Sequence, residues 1–136
     1  MLAEVANKDL TFPIYFTAYA ETCQYWMNLI YGEISKILTF AYWRESYYVE
    51  LAESRANQIL TISKSLIYNC SENEKKLGSV QEQFIPILNK LKRSNKYIMK
   101  NIGISMQTHP EFEPILGILE KIEEELAAIS ICIGSA

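Results

Sequence analysis

The stretch FEPILGILEKIEEELAAISICI, from Phe112 to Ile133, decides the fold class. Its large apolar residues Phe112, Ile115, Leu119, Ile122, Leu126, Ile129 and Ile133 recur in alternating steps of three and four. That spacing keeps one stripe of a helix turned to a neighbour, and no strand, with its period of two, could bury the same set. A mean step near 3.5 suits helices packed at about +20° to one another. Gly134 is a plausible stop beyond the stripe.

Working towards the N-terminus, Thr108-His109-Pro110-Glu111 has the form of a capping box with proline in the first turn, which predicts a helix start there. Upstream, Val80, Phe84, Ile87, Leu91, Ile98 and Ile102 predict a third helix. Pro86 inside it should kink the helix or mark its first turn. Ser71-x-x-Glu74 and Ser79-x-x-Glu82, with Gly78 between them, mark the preceding junction. The second helix is read from Tyr48, Ala52, Arg55, Ile59, Ile62 and Leu66, the first from Cys23, Met27, Ile30, Ile34, Ile37 and Ala41. The first is expected to begin near Pro13. A turn is placed at Trp43 to Ser46, and the alternative is a single rod of about 85 Å from Pro13 to Asn69.

No Asn-Gly or Asp-Gly hairpin turn occurs and valine is scarce, so strands find no support. The expectation is an all-α fold: an antiparallel bundle of about four long helices, with residues 1–136 forming a single domain. An apolar content of 49% over 136 residues can fill one core and sets the chain apart from disordered sequences.

A net charge of −3 gives no global case for nucleic acid. Cys23, Cys70 and Cys132 are widely spaced and form no C-x-x-C, which predicts free thiols in a reducing compartment. Met1 to Leu10 lacks the apolar core of a signal peptide, and Glu21, Glu33 and Lys36 interrupt the greasiest stretch. The chain is therefore expected to be cytoplasmic and to have no membrane span.

Motifs for catalysis are absent. The single histidine, His109, lies in a capping turn instead of projecting from mid-helix as phosphotransfer requires. A di-iron bundle needs two Glu-x-x-His pairs. Glu50 with Glu53 could hold magnesium only if further oxygens converged on the same point, and Asp9 is the chain's sole aspartate. No glycine-rich phosphate loop or nucleophile elbow is present. No enzyme activity, cofactor, metal or small-molecule substrate is expected.

Two features stand out from this background. Most of the aromatic residues lie between Phe12 and Tyr48, and Tyr25, Trp26, Tyr31, Tyr42 and Trp43 exceed what one seam requires. They either thicken the core, with hydroxyls at its rim, or meet another chain. The second feature is charge segregation. Lys90, Lys92, Arg93, Lys96 and Lys100 occupy a segment without acids, and Glu111, Glu113, Glu120, Glu123, Glu124 and Glu125 follow it. Lys92, Lys96 and Lys100 share a stripe with Arg93 alongside. Opposite charges flanking the seam of two neighbouring helices would explain the pattern, and a footprint for nucleic-acid backbone is the alternative. Arg55, on a predicted seam, needs a partner, and Glu33 is the candidate.

The functional expectation is a non-catalytic interaction module. It would assemble with itself or a larger protein through Tyr25, Tyr31, Tyr42 and Trp43. The alternative is a small helical subunit of a nucleoprotein complex, contacting RNA or DNA through Lys92, Arg93, Lys96 and Lys100.

Overall fold

The computed structural model describes residues 2–39, 45–72 and 81–133, with side chains at 17–39, 47–68, 70 and 84–133. Within them the chain is helical: α1 (Leu2–Thr39), α2 (Glu45–Glu72), α3 (Gln81–Ser105) and α4 (Glu113–Cys132). No strand occurs among the described residues.

The seams of α1 and α4 fall where the spacing predicts, except that Ala41, the last predicted position of the first, lies outside the described residues. Cys23, Met27, Ile30, Ile34 and Ile37 are buried on α1, and all seven predicted positions from Phe112 to Ile133 are buried on or beside α4. On α2 the buried line is Ala52, Ala56, Ile59, Ser63, Leu66 and Cys70. Small residues occupy half of it, and Arg55 and Ile62 lie on its flank. On α3 the line is Phe84, Leu88, Leu91, Asn95, Ile98 and Ile102, so Leu88 replaces the predicted Ile87, which is half-buried, and a buried asparagine fills the seven-residue gap in the predicted seam. The apolar side chains of these lines form one connected hydrophobic cluster. Each fully buried Leu, Ile or Phe contributes about 1.5–3 kcal/mol of transfer free energy.

The helices form a ring in which α1 touches α2 and α3, and α4 touches the same two. Arg55–Glu33 and Lys36–Tyr48 contacts run in opposite senses along α1 and α2, so this pair is antiparallel. Lys92–Ser130 and Asn95–Leu119 contacts make α3 and α4 antiparallel in the same way. By contrast, Gln24 meets Ser94 and Tyr31 meets Tyr97, so α1 and α3 run in the same direction. The order around the ring is thus α1-α2-α4-α3, and the α2-to-α3 connection joins diagonal helices.

Several predicted boundaries move. Helix α1 starts at Leu2 and runs through Pro13. That proline forfeits one backbone hydrogen bond, and the Leu-, Ala-, Glu- and Lys-containing residues before it keep the helix going. Helix α1 is described to Thr39 and α2 from Glu45, so Glu45 and Ser46 of the expected turn lie within α2, and the two helices pack side by side, which excludes the rod. Ser71 lies within α2 and so caps no new helix, while Ser79 lies outside the described residues. Pro86 sits inside α3, beyond its first turn. The last helix is entered through a 3-10 turn, Pro110–Phe112, and begins at Glu113. The Thr108 hydroxyl donates to the Ser105 carbonyl at 3.1 Å, closing α3 behind it.

Candidate functional site

The α1/α2 edge holds a chain of charge and ring contacts. The Arg55 Nε stands 2.8 Å from Glu33 Oε1. At this nitrogen the contact is one of charge, because the Nε–H is not well aligned with the oxygen. The guanidinium lies over the Trp26 ring at 5.4 Å, and Trp26 meets Tyr25 edge-on at 5.8 Å. Lys36 stands over the Tyr48 ring at 5.2 Å. Glu33 is only 5% exposed, and its Oε2 has no hydrogen-bond partner among the described residues. Burial pushes its carboxyl above the ordinary carboxylate value, against the pull of Arg55 and Lys36.

The predicted aromatic face of α1 is divided between two edges. Tyr25, 60% exposed, belongs with Trp26 beside α2. Tyr31, 44% exposed, faces α3, where its ring lies 5.7 Å from that of Tyr97, itself 55% exposed. Helical geometry causes the split: Tyr25 and Tyr31 are six residues apart, so they project about 120° from each other around α1. Tyr42 and Trp43 lie outside the described residues. The Tyr31–Tyr97 pair rims a cleft of about 210 Å³ with buried Met27 and Ile98 among its lining residues. Gln24 and Ser94 tie the two helices together beside it with a 3.0 Å hydrogen bond.

The basic stripe occupies the other edge of α3. Lys92, Arg93 and Lys96 line a groove of about 340 Å³ against Glu123, Leu126 and Ala127 of α4, and Lys100 lies outside it. The Lys92 ammonium donates to Ser130 Oγ at 3.0 Å. None of the four cations forms an ion pair within 4 Å of an acidic residue among the described residues. Sequence spacing did not single out Asn95 or Ser130, both buried in this contact. The gap between Leu91 and Ile98 was the available signal for Asn95, whereas nothing marked Ser130.

The remaining candidates are less informative. His109 stacks on Phe112 with 5.4 Å between ring centres, and its Nδ1 lies 2.9 Å from Glu111 Oε1, so it stays in the turn. The three cysteines are free thiols. Burial pushes Cys23 up to about 12, with the Ser63 hydroxyl beside it offsetting part of the rise, leaving an unreactive thiol. Among the described residues, no three His, Cys, Asp or Glu side chains converge on a metal position, and no helix is long and apolar enough to cross a membrane.

No family model matches the chain, and no curated protein or solved structure shows significant similarity to it.

Proposed function

We propose that this chain is a non-catalytic helical interaction module that docks a second copy of itself or a larger protein on the tyrosine-rimmed cleft between α1 and α3. The observation carrying this reading is the Tyr31–Tyr97 pair, two half-exposed rings from different helices beside the apolar Met27 and Ile98. The core is closed without them. Tyrosine suits such a role because it buries a large rigid ring at low entropy cost while its hydroxyl stays hydrogen-bonded at the rim. Tyr25, on the far side of α1, is a separate contact in this reading.

Light scattering on size-exclusion fractions over a concentration series tests the proposal, comparing wild type with Tyr31→Asp/Tyr97→Asp. A wild-type mass above that of one chain, falling to one chain in the folded variant, is the expected result. The reading fails if the wild type is monomeric and a partner captured from the native host binds the variant equally well.

The nucleoprotein reading has one observation in its favour, the lack of ion-pair partners for Lys92, Arg93, Lys96 and Lys100 among the described residues. It requires oligonucleotide binding that weakens as salt rises, with each lysine removed reducing the salt slope by about one.

A further inference from the structure

We propose that the groove between α3 and α4 is a binding site for a small phosphomonoester bearing hydroxyl groups, a phosphorylated sugar or polyol. It is independent of the docking cleft, which lies on the opposite edge of α3, so either reading can fail alone.

The cations come first. Lys92, Arg93 and Lys96 line one groove and have no ion-pair partner among the described residues. Lys92 is held at the groove by its hydrogen bond to the buried Ser130 hydroxyl. Three cations within two turns of one helix face, one of them tethered, present several donors to the oxygens of a single tetrahedral anion. Glu123 on the opposite wall leaves the lining with a net positive charge.

Asn95 provides the second, independent observation. It lines the same groove, is 1% exposed, and donates through Nδ2 to the Leu119 carbonyl at 3.0 Å. That bond fixes the amide orientation, since a flipped amide would set its oxygen against a carbonyl oxygen. Oδ1 is left buried with no hydrogen-bond partner in the described structure. An orphaned buried acceptor is costly unless something donates to it. This oxygen has almost no water-accessible surface in the unliganded groove, so a ligand hydroxyl donates to it once the exposed Arg93, Lys96 and Glu123 side chains move aside, and a bare inorganic oxyanion dominated by three cations does not.

Shape and charge narrow the ligand class. A groove of about 340 Å³ exceeds one phosphate and lies at the small end of ligand pockets. Leu126 and Ala127 offer the ligand body an apolar wall. Glu123 accepts hydroxyls and repels a second phosphate, which disfavours an extended polyanion such as nucleic acid. Lys100, outside the groove, would be engaged by nucleic acid and ignored by a small ligand. No glycine-rich loop takes part, because the donors are side chains on a helix.

Isothermal titration of the full chain with glucose 6-phosphate and with phenyl phosphate tests the site. Saturable binding of glucose 6-phosphate, weaker for phenyl phosphate, is expected. Arg93→Gln and Lys96→Gln, both at exposed positions, should each weaken it about tenfold or more. Lys100→Gln should stay within about twofold of wild type. Asn95→Leu should reduce glucose 6-phosphate to the affinity of phenyl phosphate. No saturable binding, equal affinity for the two probes in wild type, or an equal loss in Lys100→Gln and Lys96→Gln would each overturn the proposal. Should Asn95→Leu fail to fold, the exposed variants and the wild-type comparison of the two probes still decide between these outcomes.

Discussion

At the α1/α2 edge a single acid and a single guanidinium stand 2.8 Å apart, with Trp26 beneath the cation. At the α3/α4 edge three cations face a glutamate-rich helix and pair with none of its acids among the described residues. The chain's charge pattern points the other way, with segregated lysines and glutamates on successive helices and an isolated arginine upstream. Charge balance between two segments is a property of composition. An ion pair depends on register, angular position and reach. Arg55 and Glu33 lie at matching levels on facing flanks of an antiparallel pair, with a ring to support the cation. Lys92 and Lys96 of α3 line a groove, and the Lys92 ammonium donates to a serine hydroxyl.

The largest effect expected from this contrast is at Glu33. Glu33→Ala should cost roughly 1–3 kcal/mol in urea denaturation, because it strands a mostly buried guanidinium. The value falls below that of a fully buried pair because Arg55 retains some exposure and can turn its head outward. Glu33→Leu/Arg55→Met should recover the loss or exceed wild-type stability, since well-packed apolar residues replace an ion pair with an orphaned oxygen. If Glu33→Ala costs nothing, the two edges are energetically alike and the contrast is only geometric.

A smaller effect separates the edges by pH. Because burial raises the Glu33 carboxyl, the folded chain holds this proton to a higher pH than the unfolded chain does. The site's contribution is therefore complete below the ordinary carboxylate value near 4.5 and is lost as pH rises through the higher folded value. Stability plotted against pH should descend across that window in wild type, and Glu33→Gln should remove the descending segment. Guanidine midpoints at closely spaced pH values measure this. A rise across the same window at this site would reverse the sign and show that Arg55 outweighs burial.

How far these edges could be read from the chain follows from what marks them. The seam of α4 was legible because its positions are large and aliphatic, so periodicity alone finds them. The seam of α2 was read one residue off in places, at Arg55 and Ile62, because Ala56 carries a weak hydrophobic signal and Ser63 none, and both are buried by the approach of neighbouring helices. Arg55 showed as an anomaly, and Glu33 was nameable as its partner because both sit near one level of an antiparallel pair. The α3/α4 groove was not legible. It requires knowing that α4 packs on the Lys92 side of α3 and that Asn95, a polar residue, completes the seam. The pairing of Tyr31 with Tyr97 was equally hidden, since α1 and α3 are neighbours only through a diagonal connection.

The smallest expected effect is the sharpest test of the α3/α4 edge. Lys96 and Glu123 line the same groove without forming an ion pair. Lys96→Ala and Glu123→Ala should each change stability by less than about 0.5 kcal/mol, as exposed substitutions away from caps and core usually do. Their coupling in a double-mutant cycle should lie below about 0.3 kcal/mol, within the additivity expected of independent sites. The corresponding cycle at Glu33 and Arg55 should give a larger value, because those groups touch in a partly desolvated setting. The comparison belongs at low salt, where screening is weakest and any long-range attraction between Lys96 and Glu123 is most visible. A coupling there as large as at Glu33–Arg55 would mean that the lysines of α3 are neutralised by α4 in solution, and the groove would then lose the free cations on which phosphate binding depends.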